Sequence, residues 1–215
     1  MKRHQARTTA LATALAFVLL APMATADSTQ YRYPPGHYLV DFHATTVHFR
    51  VKSLFGAYEG NFIEPTGSVA ISPDRPEKAD IDISFPVSRL TTGDVSTDQM
   101  LKGSSFFDME HFPTVRFVAD GTPIQGGDTL QVEGALTMHG QTRPVVVTAH
   151  MTTADPAQNV AETGLHFTGE ASVKRSLFGM GFGRPFVADK VDLTIDATFH
   201  HGETTPAQEA LDAKG

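Results

Sequence analysis

Apolar residues recur at every second position along most of this chain, and that spacing constrains its fold more than any other feature. After Thr45-Thr46, Val47, Phe49 and Val51 fall on one side of an extended chain, and His48, Arg50 and Lys52 on the other. Ile81, Ile83 and Phe85 oppose Asp80, Asp82 and Ser84, and Val115 and Phe117 share a face. Leu130, Val132 and Leu136 oppose Gln131 and Glu133. Leu165, Phe167, Ala171 and Val173 oppose His166, Thr168, Glu170 and Lys174. Val191, Leu193, Ile195, Ala197 and Phe199 oppose Asp192, Thr194, Asp196 and Thr198. Such alternation describes strands with one buried and one wet face. A parallel sheet covered by helices on both faces would read as continuous apolar runs. Turn chemistry separates the runs at Pro73-Asp74-Arg75-Pro76, Gln125-Gly126-Gly127-Asp128 and His139-Gly140. About eight strands follow, with His37–Asp41 at the start and Pro144–Met151 in the middle. The fold class is all-β and antiparallel, and alternation alone is compatible with a barrel or a sandwich.

One segment departs from the pattern. Ser96-Thr97-Asp98-Gln99 has the form of a capping box with Ser96 as N-cap, which predicts a short helix to about Lys102. Phe106 to Phe112 forms a second short turn or helix, stopped by Pro113.

The N-terminus reads as an export signal. Lys2, Arg3 and Arg7 precede an apolar run from Leu11 to Ala21, and Ala24-Thr25-Ala26 supplies the small residues of a cleavage site after Ala26. The run is well short of the ~20 residues that span a bilayer, and no later stretch is apolar enough to do so. The expected organisation is a signal peptide at 1–26, a linker at 27–35, one β domain at 36–202 and a flexible tail at 203–215. The expected location is the periplasm, with no stable membrane insertion. The chain has no cysteine, which excludes disulfides, thiolate metal sites, a cysteine nucleophile and a lipoprotein anchor. Loss of the signal leaves fourteen basic against 24 acidic residues, a formal charge of −10. That balance argues against nucleic acid as a partner.

Chemistry is scarce in this sequence. Ten histidines are present, but His48, His166 and His200 occupy polar strand phases and His139 adjoins a turn. His200 and His201 are neighbours and point to opposite faces of a strand. No HExxH, GxSxG or phosphate-binding loop occurs. Gly179-Met180-Gly181-Phe182-Gly183 reads instead as a loop with a tight path. Asp80 and Asp82 lie on an outer face, where solvation is their role. No catalytic residue, metal or cofactor is expected. Phenylalanine is abundant: fifteen, against four tyrosines and no tryptophan. Many sit at inward phases, which fits a packed core or a barrel whose lumen holds an apolar ligand.

Several stretches together resemble the YceI-like polyisoprenoid-binding family of exported bacterial proteins. They include Tyr38-Leu39-Val40-Asp41, Val47-His48-Phe49-Arg50-Val51, Gly60-Asn61-Phe62, Gly67-Ser68-Val69, Leu90-Thr91-Thr92-Gly93 and Asp98-Gln99-Met100-Leu101-Lys102. Phe106-Phe107-Asp108-Met109-Glu110-His111-Phe112-Pro113, Leu136 to Val145 and Lys174-Arg175-Ser176-Leu177-Phe178-Gly179-Met180 complete the set. The resemblance runs from about Tyr33 to His200. It implies a lipocalin-like antiparallel β-barrel with one or two short helices, whose apolar tunnel carries a polyisoprenoid, an isoprenoid quinone or a fatty lipid. It implies a carrier, not an enzyme, and it allows a homodimer. The alternatives are an interaction module for a membrane redox partner handling quinone, and an enzyme acting on the bound lipid.

On this resemblance the inward residues Val47 and Phe49, Ile81, Ile83 and Phe85, Phe117 and Leu136, and Phe167, Leu193 and Ile195 are expected to line the lumen. Phe106, Phe107, Leu177, Phe178 and Met180 are expected at its mouth. Arg89, Lys102 and Arg175 are the candidates for an anionic head group. The sequence departs from the family pattern at Ser53, Thr97, Met100 and Lys102, where the family often has other polar residues, so the mouth has its own chemistry.

Overall fold

The computed structural model describes residues 33–124, 127, 129–151 and 164–202. The expected signal peptide, linker residues 27–32, most of the turn at 125–128 and the tail at 203–215 lie outside these. The described chain forms β1 (Gly36–Val40), β2 (Thr46–Ser53), β3 (Gly56–Ile63), β4 (Thr66–Ile71), β5 (Lys78–Pro86) and β6 (Leu90–Thr91). After these come α1 (Val95–Lys102), β7 (Thr114–Pro123), β8 (Thr129–Met138), β9 (Gln141–Met151), β10 (Leu165–Lys174) and β11 (Val187–His201). Single 3-10 turns lie at Val87–Arg89 and Arg175–Phe178.

Every pairing is antiparallel. Strands β1-β4-β5-β7-β8-β9-β10-β11 follow one another, and β11 pairs back with β1. This is a closed eight-stranded barrel, which decides between the barrel and the sandwich that alternation left open. Closure removes the free edges at which sheets otherwise aggregate.

The closure depends on β11, whose 15 residues serve two neighbours on one side. Its first part, from Val187 to Asp196, pairs with β2, and its last residues, Phe199 to His201, pair with β1. Strands β2, β3 and β6 thus extend the wall at one end of the barrel, while β1 and β4 complete it at the other. The apolar interior divides in the same way. One cluster gathers Tyr38, Val69, Ile71, Ile83, Leu165 and Phe199; the second gathers Phe49, Phe62, Leu90, Val115, Val173 and Phe178.

At the fork the chain turns from β1 into β2 beside Thr198. The Asp41 N–H donates to the Thr198 carbonyl (2.8 Å). The Thr45 hydroxyl donates to the same carbonyl (3.2 Å) and accepts from the Thr198 N–H (3.0 Å). One buried side chain therefore replaces the ladder bonds missing where β11 changes partner. Thr45 is 2% exposed, so water cannot substitute for it.

One sequence expectation changes here, and one strand is added. The N-cap of α1 is Asp94, not Ser96: the Asp94 carboxylate accepts from the Thr97 N–H (2.8 Å) and the Ser96 hydroxyl (2.6 Å). A carboxylate is the stronger acceptor, so the serine becomes its donor. Residues 103–112 form successive turns, one of the two forms expected for Phe106 to Phe112. Strand β3 went unrecognised because Gly56, Ala57, Tyr58 and Glu59 are all exposed and give no alternation.

Replacing Thr45 by valine keeps the shape and removes both bonds. The Thr198 N–H is left buried without a partner, which costs about 1–3 kcal/mol. The expected result is a lower denaturant midpoint with an unchanged slope. Full stability of the valine variant would show that the fork does not depend on this hydroxyl.

Candidate functional site

The inward face of the barrel does not close on itself. A continuous cavity of about 370 Å³ runs through both apolar clusters. On this measure about 10–15 Å³ admits one water, so the space is far larger than any packing defect in a close-packed interior. Its walls are almost wholly apolar. The polar side chains that reach them are Tyr33, Thr45, Tyr58, Thr122 and Arg175. Among these the Thr122 hydroxyl is buried without a hydrogen-bond partner in the described structure.

The sequence-derived residues are placed as follows. Val47 and Phe49 on β2, Ile81, Ile83 and Phe85 on β5, and Phe117 and Leu136 on β7 and β8 all line the cavity. So do Phe167 on β10 and Leu193 and Ile195 on β11. Phe106, Phe107 and Met180 also line it, whereas Leu177 and Phe178 do not. Leu177 is half exposed at the surface. Phe178 is 1% exposed and packs in the second cluster, where its carbonyl accepts from His139 Nδ1 (2.8 Å). The 3-10 turn at Arg175–Phe178 therefore carries Phe178 inward and Leu177 outward. Tyr33, at the end of the expected linker, is buried against Phe167 with ring centroids 6.4 Å apart. Sequence reading gave no signal for Tyr33, Thr45 or Thr122, because isolated polar residues inside a lumen do not disturb the alternation.

The three candidate cations have different surroundings. Arg89 is exposed, pairs with Glu64 (2.9 Å) and is not part of the lining. Lys102 closes α1, next to Leu101, which does line the cavity. Arg175 is only 4% exposed. Its guanidinium donates to the carbonyls of Met180 and Phe182 through one terminal nitrogen, at 2.7 Å each. It also donates to Val187 (3.0 Å) and Ala188 (2.9 Å). Burial lowers its pKa, an effect that the nearby Asp189 opposes; arginine nonetheless stays cationic. At Asp189 burial raises the pKa, but two bonds from Ser176 hold the carboxyl below its ordinary value, helped by Arg184 and Arg175. Arg175 thus ties the loop from Gly179 to Phe186 to the start of β11.

Three of the histidines have polar partners outside the lumen. His166 Nε2 meets Asp196 at 2.8 Å, His200 Nε2 meets Asp41 at 2.7 Å, and His48 Nδ1 meets Asn61 at 3.1 Å. Asp82 takes a bidentate contact from Arg116 on the outer face. Among the described residues no group of three or more His, Cys, Asp or Glu could hold a metal ion. Likewise, no helix is long and apolar enough to cross a membrane.

Two changes test these local arrangements. Arg175→Met keeps the bulk and strands four carbonyls. The expected loss is at least about 3 kcal/mol of stability, since each buried carbonyl deprived of its partner costs on the order of 1 kcal/mol or more. Arg175→Lys is expected to recover little, because an ammonium cannot reproduce the planar fork. Near-native stability of either variant in urea would remove the loop-holding role. The second test concerns α1, which brings Met100 and Leu101 to the cavity. Bonds from Ser96 and Thr97 pull the Asp94 pKa from 3.8 down to about 2. A depressed carboxylate stabilises the helix above its unfolded value and ceases to do so as pH falls through its folded value. The Thr97 amide resonance is expected to titrate near pH 2 and to stay flat in Asp94→Asn. A midpoint at 3.8 would mean that the cap is not formed.

Comparison with known proteins places this geometry. The sequence matches the YceI-like domain over residues 38–199. A curated relative from Pseudomonas savastanoi pv. phaseolicola, a UPF0312 protein, is 28% identical over 104 residues, 48% of this chain and 54% of that protein. The chain thus spans about half the length of the curated relatives it matches. The crystal structure of Burkholderia cenocepacia BcnA is similar with a TM-score of 0.63 and 26% identity, covering 74% of this chain and 98% of that one. A polyisoprenoid binding domain from Saccharophagus degradans, implicated in plant cell wall breakdown, has a TM-score of 0.60 at 9% identity. It covers 79% of this chain and all of the other, and its likeness is one of fold.

Proposed function

The chain belongs to the YceI-like domain family, and we propose that it is a periplasmic carrier that encloses one amphipathic lipid, a polyisoprenoid or an isoprenoid quinone, in its barrel. The observation that carries this reading is the closed ladder around a continuous apolar cavity of about 370 Å³. The barrel is able to enclose an apolar chain, and the solvation of such chains makes enclosure worthwhile. At ~0.8 kcal/mol per methylene-sized unit, a chain of some forty carbons has a gross transfer term on the order of 30 kcal/mol. Ordering and association costs reduce the net affinity far below that. A groove leaving half the chain wet would forfeit half of the gross term, whereas a lumen retains nearly all of it.

The residues at 1–26 support export, and a water-filled compartment between two membranes is where such a carrier has work to do. In this reading the ten aliphatic and aromatic residues named above contact the chain of the lipid. Phe106, Phe107 and Met180 contact it where it leaves the barrel. Arg89 is held by Glu64 and Arg175 by four carbonyls. Lys102 makes no ion pair among the described residues and adjoins the lining at Leu101, so we place an anionic head group there. The lumen gathers no set of groups suited to bond-breaking, and the reading is of binding without catalysis.

The test is gentle purification from the periplasm, solvent extraction and mass spectrometry of what is released. An isoprenoid lipid at near-equimolar yield is expected. Phe85 touches both apolar clusters and packs edge-on to Phe62, with centroids 6.2 Å apart. Phe85→Asp is therefore expected to lose the lipid while remaining folded by circular dichroism. A wild-type protein that emerges empty and takes up no isoprenoid or fatty probe would sink the carrier reading.

A further inference from the structure

The end of the barrel built by β2, β3 and α1 exposes more large apolar residues than a water-facing surface requires. Phe55 at the β2–β3 turn is 97% exposed and Leu54 beside it 67%. Phe182 and Phe186, on the loop before β11, are 60% and 62% exposed. Two contacts tie them in, one at the β2–β3 turn and one at the cavity lining. The Leu54 N–H donates to the Phe186 carbonyl (3.0 Å), and the Phe182 ring meets Phe106 with centroids 5.6 Å apart. Phe106 and Phe182 also line the cavity, so the patch is continuous with the lumen. Nor is the display a matter of slack chain, because Arg175 holds the carbonyls of Phe182 and Val187.

We propose that this collar docks the open end of the barrel on an anionic membrane surface, with Leu54, Phe55, Phe182 and Phe186 entering the interface. The inference rests on the carrier reading and adds to it the place where lipid is exchanged. Three observations select a bilayer as the occupant. Phe182 is both exposed and part of the cavity lining, so a lipid leaving past it into a bilayer would move from one apolar medium to another with no wet step. Contiguous exposed apolar residues rimmed by polar ones mark such contact surfaces. Lys52, next to the β2–β3 turn, and Arg184, between Phe182 and Phe186, make no ion pair among the described residues, although Arg184 lies near enough to Asp189 to lower its pKa, so this rim carries two cations on an acidic chain. The charge distribution therefore orients the molecule, attracting this end to anionic lipid while the acidic remainder is repelled. Insertion is shallow, since it involves only these four side chains.

Flotation of the purified full chain with phosphatidylcholine vesicles, with and without phosphatidylglycerol, tests the proposal. Binding is expected to both and to be tighter with phosphatidylglycerol. The double variant Leu54→Ser, Phe55→Ser changes residues outside the cavity lining and is expected to bind vesicles at least about tenfold more weakly. The same variant is expected to take up a fluorescent fatty-acid probe from detergent solution as the parent does. Lys52→Gln and Arg184→Gln are each expected to lose about fivefold, in the phosphatidylglycerol vesicles only. Absence of vesicle binding by the parent, or equal binding by the double variant, overturns the proposal. A dimer in sedimentation equilibrium that the double variant abolishes, without vesicle binding, also overturns it and assigns the patch to a second copy. Vesicle binding by a protein that takes up no probe would instead leave the docking intact and remove the carrier reading.

Discussion

A barrel that keeps its centre open gives up the dense side-chain contact that stabilises most domains, and everything else in this structure follows from how that loss is offset. Residues facing an empty lumen lack partners on one side and forfeit part of their dispersion energy. The wall must then be held through the backbone, by a ladder without a free end. β11 makes this possible because it is long enough to serve β2 and β1 in turn. The change of partner leaves the Thr198 peptide outside the regular ladder, and Thr45 satisfies both of its polar groups. A buried hydroxyl at this fork thus permits two different pairs of strands to complete the two ends of a single barrel.

The two ends differ because the strands that complete them differ. Around Tyr38 and Tyr33 the wall is tight, and the Tyr38 hydroxyl is tied to the Pro34 carbonyl at 2.7 Å. Burial raises the pKa of Tyr38, so the phenol remains a neutral donor. At the opposite end β3 runs beyond the core, with four consecutive exposed residues, and α1 and the loop before β11 cover the opening. Polar bonds there act on the backbone: Arg175 holds one loop and Asp94 starts one helix. The outer ion pairs, such as Arg116 with Asp82, are half exposed and contribute little each. They set the wet face of the strands without determining the bore.

The parts legible from sequence were those that period two encodes. Inward phases at Val47, Ile83, Phe117 and Leu193 needed only alternation, and all reach the cavity. Closure itself was not legible, since alternation is the same in a sandwich, and only resemblance to a family favoured the barrel. β3 was invisible because its first four residues are exposed and give no alternation of apolar with polar. Leu177 and Phe178 looked equivalent as a pair of apolar neighbours, yet a 3-10 turn sends them to opposite environments. Arg175 was a head-group candidate, and its structural task was not legible, because a guanidinium that caps four carbonyls leaves no pattern in the chain that supplies them.

The abundance of phenylalanine has its explanation in the bore. Gly134 occupies an inward phase of β8 between Val132 and Leu136, and the ring of Phe117 lies over it. A Cβ there would strike that ring and come within 2.6 Å of the Val118 carbonyl oxygen. Gly60 stands in the same relation to Phe49: a Cβ would lie 2.6 Å from its Cζ. In each case a glycine on one strand accepts an aromatic ring from its neighbour. The ring covers backbone that the glycine leaves bare, and it lies along the wall instead of projecting across the lumen. Aliphatic side chains at Phe49 and Phe117 would leave those glycines uncovered, and larger residues at Gly60 and Gly134 would push the rings inward. The open volume is therefore set by paired choices at neighbouring strands. That pairing is the physical difference between a core that packed poorly and a lumen able to enclose an apolar ligand.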